Sequence, residues 1–156
     1  MQRRILLGIL AGLSVAGAGL SAEKPNFSGE WKLNASKSDF GQMPAPDLMV
    51  RKIDHKEPDL TVSTTQKSQM GEFTSEAKYA TDGKEYTNKS RGGEAKSVLK
   101  WDGDALVITT KRETPNGEIT TVDRWTLGDG GKTLNGATKF SSPMGELDIK
   151  MVFDKQ

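Results

Sequence analysis

The chain of 156 residues has no cysteine and a single histidine, His55. The first absence excludes disulfides, thiol nucleophiles, iron–sulfur clusters and lipid attachment through cysteine. The second leaves no room for a multi-histidine zinc site and confines any Ser-His-Asp arrangement to the surroundings of one residue. Standing before Lys56-Glu57-Pro58 at a strand end, His55 reads as a solvated turn residue. No metal and no cofactor is therefore expected. Charge of one sign is lacking too, with 22 Lys+Arg against 21 Asp+Glu, so no basic footprint for nucleic acid exists. Long apolar runs are absent except at the start, where Ile5 to Leu20 is uncharged and follows Arg3-Arg4.

That start has the order of a secretory leader: a basic head, an apolar stretch, and small residues at Leu20-Ser21-Ala22. The stretch is diluted by four glycines and falls short of the ~20 apolar residues that span hydrocarbon. The expected organisation is residues 1–22 as signal peptide and 23–156 as one domain, with cleavage after Ala22 or, in the alternative pattern, Ala18. Arg3-Arg4 loosely resembles a twin-arginine signal without its usual flanks. Removing the leader leaves 20 basic and 21 acidic residues and no membrane span. A periplasmic or extracellular location follows as the expectation.

From Gly29 to Phe153 no sustained helical spacing of apolar residues occurs, whereas runs rich in Thr, Val, Ile, Tyr and Trp alternate with polar residues. Turn signals such as Asp82-Gly83, Asp102-Gly103, Asn116-Gly117 and Asp129-Gly130-Gly131 separate the runs. The predicted strands are Gly29 to Leu33, Leu48 to His55, Leu60 to Ser68, Phe73 to Ala80, Glu85 to Ser90, Glu94 to Trp101, Ala105 to Glu113, Glu118 to Leu127, Thr133 to Ser141 and Glu146 to Asp154. A flat sheet this wide would curl and expose edges, and short hairpins throughout favour an all-β, single antiparallel up-and-down barrel of about 8–10 strands. The one long connection, Asn34 to Asp47, is placed as a lid or as a surface crossover with Phe40 tucked in to plug the barrel end.

Alternation assigns a mixed interior: large groups at Phe73, Tyr79, Trp101, Trp125 and Phe140, and small or polar ones at Thr64, Gln66, Ser75, Ala77, Ser97, Thr121, Gly136 and Thr138. A lining of this kind either encloses a void with a few hydrogen-bonding groups or fills itself with side chains and ordered water. Asp123 is the one acid placed inward, beside Trp125; a one-residue slip would turn it to solvent and bring Arg124 in. A lone inward acid does not make the carboxylate pair of a glycosidase.

Phe27-Ser28-Gly29-Glu30-Trp31-Lys32-Leu33, with Gly-x-Trp opening the first strand, resembles the start of the lipocalin and fatty-acid-binding (calycin) families. The continuation through Phe40-Gly41 and Pro44-Ala45-Pro46, with Asp82-Gly83-Lys84 and Trp125-Thr126-Leu127, is similar to a group of secreted bacterial lipocalin-like proteins. The resemblance implies that Trp31 closes one barrel end beneath a basic residue of the last strand, Lys155 or Lys150. Two features of intracellular fatty-acid-binding proteins are missing, the portal helix pair after the first strand and an Arg-x-Tyr clamp in the last strands, so their function does not carry over.

Three readings follow. The first is an exported, non-enzymatic protein that binds or sequesters a small, partly apolar ligand, hydrophobic or amphipathic, with Tyr79, Trp101, Trp125 and Phe140 giving contact area and Thr121 and Asp123 polar anchors. The second is a protein–protein interaction module using the 37–47 loop or the outer barrel face. The third is a lipocalin-like enzyme in which only Asp123, Tyr79 and His55 are available for proton transfer.

Overall fold

The computed structural model describes residues 23–90 and 92–156; the expected leader, residues 1–22, lies outside them. The strands are β1 (Gly29–Leu33), β2 (Leu48–Lys56), β3 (Asp59–Ser68), β4 (Gly71–Ala80), β5 (Glu85–Ser90), β6 (Gly93–Asp102), β7 (Ala105–Thr114), β8 (Gly117–Gly128), β9 (Thr133–Ser142) and β10 (Gly145–Lys155). They form one antiparallel sheet in the order β4-β3-β2-β1-β10-β9-β8-β7-β6-β5. Each predicted strand is present, most of them one or two residues longer at an end.

The sheet closes through β1 and β10, which pair Trp31 with Lys155 and Leu33 with Phe153. The interruption falls between β4 and β5, which share no backbone ladder. A side chain spans that seam: Asn88 accepts from the Lys78 N–H through Oδ1 at 2.9 Å and donates to the Lys78 carbonyl through Nδ2 at 3.0 Å. An amide side chain reproduces the donor and acceptor of a peptide unit, so one residue replaces a rung of the missing ladder. The result is a nearly closed barrel.

The turn chemistry read from the sequence operates locally. Gly83 takes φ 74° while the Asp82 carboxylate accepts from the Lys84 N–H at 2.9 Å, an Asx turn that joins β4 to β5. Gly29 has φ 141° and no space for a side chain, since a Cβ there would lie 2.9 Å from Lys155 Cε. The reason is Lys155 itself, whose Nζ sits 5.4 Å from the centre of the Trp31 ring. Of the two basic partners the resemblance offered for Trp31, Lys155 fills the role, while Lys150 bridges to Asp39.

One barrel end is packed shut. Phe27, Trp31, Leu60, Leu99, Leu106, Leu134 and Phe153 are at or near zero exposure, and the Trp31 indole N–H donates to the Phe27 carbonyl at 2.8 Å. Full burial of each such side chain contributes roughly 1.5–3 kcal/mol. His55 belongs to this plug, not to a solvated turn: it is 2 % exposed. The strand alternation that points Ile53 inward carries on to His55, because β2 runs one residue further than its polar ending suggested. His55 Nδ1 accepts from the Phe27 N–H at 3.1 Å, which leaves the ring proton on Nε2 to bond Glu57 Oε1 at 2.7 Å.

The long connection is neither a helix pair nor a detached lid. Asn34 caps a single 3-10 turn, Ala35–Lys37, after which Asp39 pairs with Lys150 of β10. Phe40 is partly buried against the core cluster.

Candidate functional site

Above the plug the inward residues shrink and become polar. The register aligns Thr64 with Ser75, Thr110 with Thr121 and Ile108 with Asp123, and Asp123 with Thr138. Threonine favours strand geometry, neither it nor serine fills the barrel axis, and an open interior results. One cavity of about 250 Å³ is lined by Ala77, Tyr79, Thr110, Ile119, Thr121 and Phe140. A deeper one of about 140 Å³ is bounded by Arg51, Thr64, Tyr79, Ile108, Asp123 and Trp125. Ser75, Ala77, Tyr79 and Thr110 border both, so the two form adjoining levels of one interior.

Asp123 faces inward, and Arg124 faces out to pair with Asp102; no register slip occurs. Thr138 donates its hydroxyl to Asp123 Oδ1. Burial pushes the Asp123 carboxyl above its usual range, against the Thr138 hydrogen bond and the Arg51 charge. Tyr79 is also raised, chiefly by burial, with Ser97 beside its hydroxyl and the Arg51 charge opposing. The phenol therefore stays protonated throughout the neutral range.

Arg51 is the residue that sequence reasoning missed. Its guanidinium lies 4.6 Å from the Phe153 ring centre and 5.4 Å from that of Trp125, within cation–π range. Burial lowers its pKa while the Asp123 charge acts to raise it, and a guanidinium remains charged even so. Nη1 of Arg51 and Nε1 of Trp125 are both buried without a hydrogen-bond partner. Two unsatisfied donors at the floor of a cavity leave a local deficit of acceptors. The signal was in the strand: Met49, Arg51, Ile53 and His55 alternate with Val50, Lys52 and Asp54, which puts Arg51 on the inner face.

Of the six residues expected to touch a ligand, Tyr79, Thr121, Asp123, Trp125 and Phe140 border these two levels. Trp101 points inward but at the plugged end, stacked on Phe27 at 6.0 Å and His55 at 5.9 Å, with Lys24 Nζ 5.5 Å from its ring. Alternation gives the face of a residue but not its height along the barrel, and Trp101 stands at the far end of β6 from the cavity. His55 is likewise committed to the plug, apart from Tyr79 and Asp123. Among the described residues no three His, Asp or Glu side chains converge as metal ligands, and no helix is long and apolar enough to cross a membrane.

No protein-family model and no curated protein matches the chain. Solved structures do. The zebrafish ileal bile acid-binding protein, in complex with cholic acid, is 18% identical with a TM-score of 0.58, over 83% of this chain and 98% of that one. A fatty acid-binding protein from Drosophila melanogaster brain tissue gives 18%, 0.58, 83% and 99%. A secretory abundant heat soluble protein of Ramazzottius varieornatus gives 13%, 0.60, 83% and 94%. At these identities the likeness establishes the fold alone, an antiparallel up-and-down β-barrel.

Proposed function

We propose that this protein is an exported, non-catalytic carrier that holds a small, partly apolar molecule inside its barrel. The observation that carries the reading is the unequal filling of the interior. One end is plugged by aromatic and aliphatic side chains, and the other encloses two adjoining cavities edged by Ile119, Phe140 and Trp125 together with threonines, a tyrosine, an arginine and an aspartate. Apolar walls with a few fixed polar groups characterise small-molecule sites. Two of the structural neighbours are bile acid- and fatty acid-binding proteins, which agrees with a small-molecule ligand. Export rests on the order of Met1 to Ala22.

The test is native mass spectrometry of the purified full chain, followed by titration with decanol and decanoate while tryptophan emission is recorded. A co-purified mass or a saturable emission change is expected. Ala77→Phe, which fills both levels from β4, should abolish the change while leaving the unfolding transition cooperative. Absence of both a bound mass and any saturable response would overturn the carrier reading, as would a response undiminished in the filled variant.

A further inference from the structure

The floor of the deep cavity holds opposite charges without a direct ion pair. Arg51 from β2 and Asp123 from β8 face the same 140 Å³ space, yet they sense each other only through the field across it. The guanidinium rests instead against Phe153 and Trp125. One carboxylate oxygen, Oδ1, is committed to Thr138. Tyr79 on β4 is the third titratable group on this lining, and the residues that face them from β3 and β7 are Val62, Thr64, Ile108 and Thr110, none of which titrates. Arg112, two rungs above Thr110 on β7, borders the upper level only; His55 and Glu57 are occupied with each other in the plug.

Resting on the carrier reading, we propose that Arg51, Tyr79 and Asp123 form a head-group subsite for an acidic amphiphile, and that Asp123 takes one proton from solvent as the ligand's carboxylate enters. The unsatisfied Nη1 of Arg51 and the protonated Tyr79 hydroxyl supply donors, and a carboxylate supplies the acceptor that Nη1 lacks. Charge counting gives the proton. With Asp123 ionised the empty floor is neutral, and an entering anion would leave one positive and two negative charges in a dry space. Two like charges in such a space do not both persist. A proton on Asp123 restores neutrality, and Oδ2, the oxygen not used by Thr138, is the free position for it. The same proton turns Asp123 from a repulsive acceptor into a donor toward the ligand. Burial already biases this carboxyl toward its protonated form, so little further change is required.

The experiment uses the full chain with decanoate and its neutral counterpart decanol, titrated calorimetrically above about pH 6, where an ordinary carboxylic acid is ionised. Decanoate affinity should fall by up to about tenfold per pH unit as pH rises, and its binding heat should vary with buffer ionisation heat in the sense of proton uptake. Decanol affinity should be flat with pH. Arg51→Met should weaken decanoate by at least about tenfold and decanol, which brings no charge to the guanidinium, by clearly less, with Arg51→Lys as a second variant that keeps the charge and recovers part of the decanoate loss. Asp123→Asn should remove the pH dependence and the buffer dependence together. Decanoate binding that is insensitive to Arg51→Met, or a pH slope that survives in Asp123→Asn, overturns this inference while leaving the carrier reading intact. Failure of decanol and decanoate alike to bind counts against the carrier reading itself.

Discussion

At the end where β2 turns into β3 and β6 into β7, the barrel axis is occupied by Phe27, Trp31, His55, Leu60, Leu106 and Phe153, ring against ring and without space between them. At the opposite end Ser75, Ala77, Thr110, Thr121 and Phe140 surround an open interior. Backbone pairing runs through both and is broken only at the β4–β5 seam, so the ladder does not distinguish them. The difference lies in side-chain volume and polarity, and it separates the two tasks of the molecule. Packing at the plug holds the fold together, which frees the other half to remain under-filled.

The largest expected effect tests that division directly. Phe27→Ala removes a fully buried ring that stacks on Trp101 and His55 and meets Trp125 edge-on at 5.9 Å. It should cost about 3–5 kcal/mol of unfolding free energy, read from urea denaturation of the full chain. Phe140→Ala, a half-buried ring at the cavity, should cost about 1 kcal/mol or less because solvent already reaches its surroundings. Equal losses at the two positions would mean that the open half is as much a structural core as the plug.

A smaller effect is expected at the seam. Asn88→Ala removes both hydrogen bonds that link β5 to Lys78 and should cost about 1–2 kcal/mol. Amide hydrogen exchange should then quicken along β4 and β5 and stay unchanged in β1 and β10, where the backbone ladder closes the barrel. Uniform exchange across all strands would show that the seam is not the weak line of the sheet.

How much of this was legible in the sequence depends on the range of the interactions involved. Strand positions could be read because alternation and Asx-Gly turns are local, and the inner face of β7 to β10 followed from the same periodicity. Arg51 and His55 sat on the readable inner face of β2, but their polarity argued for solvent. What overrides polarity is a partner, and the partners come from Phe27, Glu57, Phe153 and Asp123, four separate parts of the chain. The seam between β4 and β5 was not legible, since whether neighbouring strands pair depends on barrel curvature set by all ten. Trp101 shows the remaining gap: periodicity fixes a side chain's face, and height along the axis needs the register of the whole sheet.

The two ends also differ in how they answer to pH, and this is the smallest effect proposed. At the plug, burial acts to raise the Glu57 pKa, but hydrogen bonds from His55 and Thr81, with the Trp101 indole nearby, outweigh it and hold the carboxyl below its ordinary 4.5. A carboxylate with a lowered folded pKa adds stability that is present above its unfolded value and disappears as pH falls through the folded one. Asp123, raised above its ordinary 3.8 by burial, acts in the reverse sense. Its contribution is complete below the unfolded value and is lost as pH climbs through the raised one. The urea midpoint should therefore fall on the acid side because of Glu57 and decline gently above about pH 4 because of Asp123. Glu57→Gln should flatten the acid limb only, and modestly, since this side chain is 43% exposed and solvent screens it. Asp123→Asn should flatten the upper decline only, whatever it does to the midpoint itself by leaving Arg51 without its counter-charge. Loss of both limbs in either single variant would show that the plug and the cavity floor titrate as one unit, and the division between packed and open halves would not extend to their electrostatics.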